Sequence, residues 1–208
     1  MPEPLTPVTL EGRHVRLEPL DRGHAEGLAA AAAGDRSTFD LTWVPDDLDA
    51  MRAYIDSLLD AHSRAEVLPF AQRRLDTGEL IGCTRYLDLH WWNGREQVAE
   101  LEIGGTWLAA NAQRTAVNTE AKLLLLTYAF ETLDVWRVAI CTDARNQRSR
   151  DAILRIGASF EGVLRNHRVR YDSAEPNPRP RQTALYSIID EEWESVKRGL
   201  QGRLTAAG

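Results

Sequence analysis

Two strands and a helix are predicted in direct succession between residues 98 and 142, and their order limits the folds that this chain can adopt. Polar and apolar residues alternate over Val98–Leu108, which indicates a strand. A polar loop follows, then an apolar helix that includes Leu123–Leu133, and then a second strand at Val135–Thr142. The chain is therefore expected to mix strands and helices, with the polar loop leading into the helix.

The polar loop is suited to binding an anion. Free backbone N–H groups and the positive end of the helix dipole meet at the amino end of a helix, so a phosphate binds there with little help from side chains. The alternative is that Asn118 or Thr119 is an ordinary helix cap. The preceding strand contains Gly104–Gly105, which predicts a β-bulge or a place where another molecule approaches the backbone. The loop residues are Gln113, Arg114, Thr115, Ala116, Val117, Asn118 and Thr119.

Gln113 opens this loop at the spacing of a Gln/Arg-x-x-Gly-x-Gly/Ala motif, with Ala116 and Asn118 at its last two defined positions. The stretch resembles the acetyl-CoA-binding core of the GNAT N-acetyltransferase superfamily. Downstream residues are similar to the branch that contains the RimJ/RimL ribosomal-protein α-amino acetyltransferases. The resemblance covers nearly the whole chain and rests on Leu10–Leu20, Asn118–Lys122, Asn146–Ser149, Gly157–Ala158, Glu161–Arg165 and Tyr186–Ile188.

The fold expected from this resemblance is the GNAT fold, of class α/β (α+β), over residues 1–208 as a single domain. It implies a mixed, mostly antiparallel central sheet of about six to seven strands flanked by helices. The two central parallel strands are expected to split apart. A chain of this length can bury one sizeable core.

Further elements are predicted along the chain by the same criteria. Asp76-Thr77-Gly78 indicates a hairpin turn, and Asn146 and Gly157 indicate the two ends of a helix. The predicted strands are 9–19, 67–72, 79–87, 98–108, 135–142, 162–171 and 183–189, with a long connector at 172–182. The other predicted helices are 24–33 and 46–62, which are expected to cover an edge of the sheet, and 191–204.

The composition of the chain indicates its cellular location and limits the partners that it binds. No apolar run approaches the roughly 20 residues of a membrane span, and the first residues do not form a secretory signal. Only Cys83 and Cys141 are present, so a disulfide framework is not expected and the cytoplasm is the predicted location. The formal net charge of −6 at pH 7 argues against direct nucleic-acid binding.

The resemblance also implies a cofactor site, with acetyl-CoA as co-substrate and no metal. The strand backbone at Trp107 and Leu108 would pair with the pantetheine arm, and the loop from Gln113 to Thr119 would take the pyrophosphate. Asn146 would reach the pantetheine. Ser149 would lie near the sulfur, because Ile153 stands where many members of the superfamily have a tyrosine donor. Ordinary helix capping is the alternative for Asn146 and Ser149.

Glu102 is the first candidate for a base that deprotonates the acceptor amine, directly or through water. An α-amine has a pKa of about 7.7 to 8.0, against about 10.4 for lysine, so a weak base is sufficient for an α-amine. Glu100, on the same strand face, and His167 are the rival candidates. The alternative for the two glutamates is that they face solvent and pair with arginines such as Arg85.

Taken together, these residues predict an acetyl-CoA-dependent N-acetyltransferase that acts by direct transfer in a ternary complex. Trp43 is predicted to wall the substrate pocket together with Glu100 and His167. The acceptor is expected to be a protein N-terminus or an aminoacyl or peptide-like small molecule. Relatives are monomers or dimers, and a homodimer is the expected assembly. The alternative is a catalytically weak CoA-binding regulatory module, since Ala116 and Asn118 carry a Cβ where glycine would permit a positive φ.

Overall fold

The computed structural model describes residues 3–92, 94–170 and 179–206, which form one eight-stranded sheet and five α-helices. The strands are β1 (Leu10–Glu11), β2 (Val15–Pro19), β3 (Val67–Arg74), β4 (Leu80–His90), β5 (Glu100–Leu108), β6 (Arg137–Asp143), β7 (Ser159–Arg170) and β8 (Arg179–Ile189). The helices are α1 (Ala25–Ala32), α2 (Leu48–Ser63), α3 (Ala116–Thr127), α4 (Gln147–Ile156) and α5 (Asp190–Ala206).

The strand order across the sheet is β1-β2-β3-β4-β5-β6-β8-β7. Every neighbouring pair is antiparallel except β5 and β6, which confirms the predicted mixed sheet with a central parallel pair. The eighth strand arises because the predicted strand over residues 9–19 is two strands. The Gly12 N–H donates to the Val15 carbonyl, and this turn separates β1 from β2.

The parallel pair separates after a short contact, as the expected split requires. β5 and β6 are in register only at Glu100 with Arg137, Leu101 with Val138 and Glu102 with Ala139. β5 then continues to Leu108 without a register partner in β6. The β5 backbone beyond Glu102 therefore presents a strand edge inside the sheet.

Two apolar layers cover the sheet, one on each face. The larger core packs α3, α4 and α5 against strands β2 to β6 and β8. The smaller core packs α1 and α2 against β3, β4 and β5, through residues such as Met51, Cys83 and Trp107. The prediction that the first two helices cover an edge is therefore wrong, because their apolar stripes are buried against a face.

Local capping explains where the helices begin and end. Asp47 accepts the Ala50 N–H, so α2 begins at Leu48 rather than at the predicted position 46. Asn146 caps α4, and Gly157 ends it in the left-handed conformation at φ +101°, as the sequence predicts. The predicted hairpin turn also forms, with Gly78 at φ +74°.

The last two strands are longer than predicted. β8 begins at Arg179, so residues 179–182 belong to a strand and not to the expected connector. The rest of that connector, residues 172–178, lies outside the described residues. Among the helices that the structure describes, none has the length and apolar character to cross a membrane.

Candidate active site

Glu102 lies at the point where β5 leaves β6, and its side chain is only 3% exposed. Its neighbours Leu101 and Ile103 belong to the larger core, so Glu102 points to the opposite face of the sheet. Arg168 of β7 binds the carboxylate with two hydrogen bonds, Nη1 to Oε1 at 3.0 Å and Nη2 to Oε2 at 2.7 Å. An ionised carboxylate has about four acceptor positions, so Glu102 keeps acceptor capacity for a further donor.

Arg168 is held on its other side by Asp88 of β4. Burial alone would lower the pKa of Arg168, but the hydrogen bonds and charge of Glu102 more than offset this and the pKa is raised. The guanidinium is therefore a permanent cation that fixes the orientation of Glu102. The sequence pattern does not indicate Arg168, and the predicted candidate His167, its neighbour, is exposed.

An irregularity in β7 explains that error. The register with β8 shifts between Leu164 and Arg168, and Asn166 has φ +50°. The shift adds two residues to β7 and places Arg168 opposite Arg181 instead of Arg179, so it changes the position of Arg168 along β8 and not its face. Arg168 therefore reaches Glu102, a result that periodicity in the sequence alone does not reveal.

Glu100 is separated from Glu102 by its own ion-pair network. Arg137 Nε donates to Glu100 at 2.9 Å, and the same guanidinium binds Glu161 at 2.6 and 2.7 Å. Glu100 is only partly buried. The expectation that both glutamates pair with arginines is met, but the partners are Arg137 and Arg168 instead of Arg85. Only Glu102 combines deep burial with the β5–β6 split.

The pair Gly104–Gly105 marks the predicted bulge, because the β4–β5 register shifts between Cys83 and Arg85. Gly105 has φ +55°, which favours glycine. A Cβ at Gly104 would lie 2.6 Å from Glu102 Oε1, and one at Gly105 would lie 2.5 Å from Arg85 Cζ. The space beside the two glycines is thus filled by the chain's own side chains.

A buried lysine lies near Glu102. Lys122 of α3 is 5% exposed and donates to Thr106 Oγ1 at 3.0 Å, and Thr106 in turn is 2.8 Å from Thr84 Oγ1. Burial lowers the pKa of Lys122 to about 8, although the nearby charge of Glu102 acts in the opposite direction. A lysine that titrates near neutral pH, close to a buried carboxylate, is a feature common in functional sites.

This lysine leads to a prediction about stability. The folded-state pKa of Lys122 is about 8 and its ordinary value is 10.5, so the unfolded chain binds more protons between these pH values. Its contribution to the free energy of unfolding therefore rises with pH in this window, by roughly 3 kcal/mol. Lys122→Met removes this contribution. The stability of the variant relative to wild type should be greatest near neutral pH and fall by that amount as the pH rises.

Urea unfolding of both proteins between about pH 7 and 10.5 measures this difference. Burial raises the pKa of the Cys83 and Cys141 thiols, so their contribution to the free energy of unfolding falls at high pH. This fall occurs in both proteins and cancels in the difference between them. If the free energies of unfolding of the two proteins differ by the same amount at every pH from about 7 to 10.5, the lowered pKa of Lys122 is contradicted.

The predicted anion loop leads into α3, which begins about one turn before the predicted cap residues Asn118 and Thr119. Thr115 is the N-cap: its hydroxyl accepts the Val117 N–H at 3.3 Å and donates to the Ala112 carbonyl at 2.8 Å. Asn118 and Thr119 therefore lie in the first turn of the helix and do not cap it. No acidic residue lies in that turn, which leaves the positive end of the helix dipole without a neutralising carboxylate.

The left-handed backbone of this loop is at Arg114, with φ +62°. Ala116 and Asn118 are helical and are not among the residues of positive φ. A Cβ at these two positions therefore introduces no backbone strain. Backbone strain is therefore not a reason for a weakened cofactor loop.

The loop and the beginning of α4 both contact Thr38. Gln113 Nε2 donates to Thr38 Oγ1 at 3.0 Å and to the Leu108 carbonyl at 2.9 Å. Arg148 Nη2 of α4 donates to the Thr38 carbonyl at 2.5 Å. The amino ends of α3 and α4 are therefore neighbours, on either side of Thr38, at the end of β5.

The two predicted residues of α4 lie in its first turn. Asn146 Oδ1 accepts the Ser149 N–H at 3.0 Å, which is the capping role left open by the sequence. Ser149 is half-buried, and its hydroxyl has no hydrogen-bond partner in the part of the chain that the structure describes. Ile153, one turn further, is buried in the core and has no group to donate.

The aromatic candidates divide between core and surface. Trp107 is buried and packs edge-to-face on Phe39 at 6.1 Å, and Leu108 is also buried, so only their backbone could meet a ligand. Trp43 is 53% exposed and contacts Tyr54, whose hydroxyl accepts a hydrogen bond from Arg85 at 3.2 Å. This contact series connects the surface at Trp43 with the bulge in β5.

A metal site is not formed by the described residues, in which no group of three or more His, Cys, Asp or Glu side chains could hold an ion. Cys83 and Cys141 lie in β4 and β6 as free thiols. The pKa of Cys141 is raised to about 12 by burial and by Glu102, so this thiol stays protonated at neutral pH. A thiolate nucleophile is therefore disfavoured here.

Comparison with protein families gives a match over residues 14–159 to the family described as the acetyltransferase (GNAT) domain. A Bacillus subtilis (strain 168) protein described as "Putative ribosomal N-acetyltransferase YdaF" is 37% identical over 120 residues. That match covers 58% of this chain and 59% of the relative, so it spans well under two thirds of the relative's length.

Two solved structures resemble the whole chain. A GCN5-related N-acetyltransferase from Brucella melitensis is 30% identical with a TM-score of 0.80, and the match covers 99% of this chain and 93% of that one. Mycobacterium smegmatis RimJ, in complex with CoA-disulfide, has a TM-score of 0.78 at 19% identity, covering 97% of each chain. The second likeness concerns the fold alone.

Proposed function

Because the chain belongs to the GNAT acetyltransferase family, we propose that it transfers an acetyl group from acetyl-CoA to a primary amine by direct transfer in a ternary complex. The observation that carries this proposal is the placement of buried Glu102 where β5 separates from β6. The amino ends of α3 and α4 meet at the far end of the same strand.

Two features of the chain and one solved structure support acetyl-CoA as the ligand. The edge of β5 beyond Glu102 can pair with an extended amide chain such as pantetheine. The first turn of α3 offers backbone N–H groups to the pyrophosphate from Ala116 and Asn118, with the exposed Arg114 beside them. The structure of RimJ, which shares this fold, is a complex with CoA-disulfide, and this supports a CoA ligand for this chain.

The proposed chemistry assigns one task to each of two side chains. Acetyl-CoA supplies the acetyl group as a thioester, whose C–S bond breaks as the C–N bond to the amine forms. Glu102 accepts the proton that the amine loses, directly or through a water, while Arg168 holds its carboxylate in place. Ser149 donates a hydrogen bond or proton toward the departing sulfur, since its hydroxyl is not engaged by the described residues.

We propose a protein N-terminus or an aminoacyl or peptide-like small molecule as the acceptor. The ribosomal N-acetyltransferase description of the Bacillus subtilis relative supports an amine as the acceptor. An α-amine with a pKa of about 8 needs less help from a base than a lysine amine does. Trp43, at the surface end of the series that reaches β5, is the proposed wall of the acceptor site.

Compartment and assembly complete the proposal. The two free thiols fit the cytoplasm. A homodimer is supported by the position of β7 at the edge of the sheet, where one side of the strand is unpaired. Exposed apolar side chains of this strand are Phe160, Val163, Leu164 and Val169.

Ser149→Ala tests the proposed donor. We expect the turnover number to fall by roughly 10- to 100-fold, because the departing thiolate loses a hydrogen bond that strengthens as charge develops. The affinity for acetyl-CoA should change by less than about threefold, since Asn146 and the α3 loop are unaffected. Steady-state kinetics and isothermal titration calorimetry give the two values. An unchanged turnover number would remove Ser149 from the mechanism.

The function itself is tested by calorimetry with acetyl-CoA, followed by an assay for free thiol with a panel of amines and N-terminal peptides. We expect binding and acceptor-dependent thiol release. Absence of binding at millimolar acetyl-CoA would refute both the transferase and the regulatory alternative. Binding without thiol release across the panel would favour the regulatory module.

A further inference from the structure

Two arginines lie directly opposite each other on the last two strands. Arg168 of β7 and Arg181 of β8 are register partners, so their side chains emerge on the same face with Cβ atoms about 5 Å apart. Like charges at such positions destabilise a sheet. Arg168 is balanced by Glu102 and Asp88, which already engage its guanidinium. Within the described part of the chain, Arg181 makes no hydrogen bond to a carboxylate.

The bonds of Arg181 leave one of its donors unused. Its Nε donates to Thr183 Oγ1 at 3.0 Å, but Nη2 is buried and has no hydrogen-bond partner among the described residues. Asp143, the acid of the adjacent strand β6, is bound by Arg145 at 2.8 and 3.0 Å. Burial and the charge of Arg168 lower the pKa of Arg181. A buried cationic donor without an acceptor is costly, and an anion would remove that cost.

We propose that Arg181 binds a carboxylate of the acceptor, so that the enzyme prefers amines that carry a carboxylate a few atoms from the amine nitrogen. This rests on the proposed function. An amine directed at Glu102 lies next to Arg168, and Arg181 is the next residue across the sheet. A guanidinium matches a carboxylate in shape and charge, and Arg181 Nη2 is the donor that this carboxylate would satisfy.

Wild-type enzyme gives the first test, with acceptors matched in size. The first pair consists of two short peptides that are amidated at the carboxyl end and differ only at the second position, which is Asp in one and Asn in the other. The other pair is a free α-amino acid and its amide, so the two pairs separate a side-chain carboxylate from an α-carboxylate. We expect kcat/KM to be at least about tenfold higher for the acidic member of one pair.

Arg181→Gln gives the second test. The preference for the acidic acceptor should fall toward unity in this variant, mainly through a higher KM for that acceptor. Arg165→Gln, which changes an exposed arginine of β7, is the matched control and should keep the wild-type preference. A purely structural role of Arg181 would lower both rates together and leave their ratio unchanged.

The outcomes separate the two levels of the proposal. Equal kcat/KM for acidic and neutral acceptors in the wild type, or a preference that survives Arg181→Gln, would overturn the carboxylate site alone. Absence of thiol release with every amine would refute the transferase itself. If Arg181→Gln does not fold, the ratio of kcat/KM for the acidic and neutral acceptors in the wild type still tests the carboxylate site, because it requires no variant.

Discussion

Replacing Glu102 with glutamine is expected to lower kcat/KM for acetyl transfer by roughly 10²- to 10⁴-fold, the range lost when a general base is removed. Glutamine has almost the same shape and keeps an oxygen that accepts a hydrogen bond from Arg168, but it cannot take a proton from the amine. Asp88 remains to balance the Arg168 charge. The fold should therefore survive, and thermal unfolding of the variant checks that it does.

A matched control is available for this substitution. Glu161 is also a carboxylate bound by an arginine, Arg137, at 2.6 and 2.7 Å, but it lies away from the β5–β6 split. Glu161→Gln should keep kcat/KM within about threefold of wild type. If Glu102→Gln retains full activity while Glu100→Gln or His167→Gln loses it, the base has been assigned to the wrong residue.

Replacing Glu120 with alanine is expected to lower the free energy of unfolding by about 3 to 5 kcal/mol. The Glu120 carboxylate, only 6% exposed, accepts the backbone N–H groups of Arg13, His14 and Val15 at 2.8, 2.6 and 2.9 Å. Hydrogen bonds to a charged acceptor are worth about 1.5 to 3 kcal/mol each, and alanine leaves three donors without it. Water that enters the site would recover part of the loss.

Chemical denaturation of the variant measures this cost. Glu194→Ala, the same change at an exposed position of α5, is the control and should alter stability by no more than about 0.5 kcal/mol. Glu120→Gln should fall between the two, since its amide oxygen still accepts. A Glu120→Ala variant as stable as the control would show that these three hydrogen bonds make no net contribution to the free energy of unfolding.

The stability of this contact matters for the site, because Glu120 lies in α3. The carboxylate ties the turn between β1 and β2 to the helix whose first turn is proposed to hold the pyrophosphate. A Cβ at Gly12 would lie only 2.3 Å from the Glu120 carboxyl carbon, so the turn and the helix are closely packed. Loss of Glu120 should therefore also weaken acetyl-CoA binding.

Local signals in the sequence predicted much of the fold. Asn146 and Gly157 define α4 because a side-chain cap and a left-handed glycine are properties of single residues. The turn at Gly78 and the alternation of β5 have the same local character. The break of the first strand at Gly12 was missed, because it depends on Glu120, a residue more than a hundred positions away.

The candidate site divides in the same way. Glu102 could be chosen from its place on a predicted strand, but its burial and its separation from Glu100 depend on packing. The role of Arg168 depends on a register shift between β7 and β8, and that of Lys122 on its burial against Thr106. Long-range contacts of this kind carry no periodic signal in one sequence.

The central claim is that this chain acetylates an amine with acetyl-CoA. Mass spectrometry of an α-amine peptide incubated with enzyme and acetyl-CoA tests it most directly, with release of free thiol followed in parallel. We predict a peptide heavier by one acetyl group and an equal amount of thiol, both strongly reduced with Glu102→Gln. Unmodified peptide with every acceptor of the panel, despite calorimetric binding of acetyl-CoA, would contradict the account.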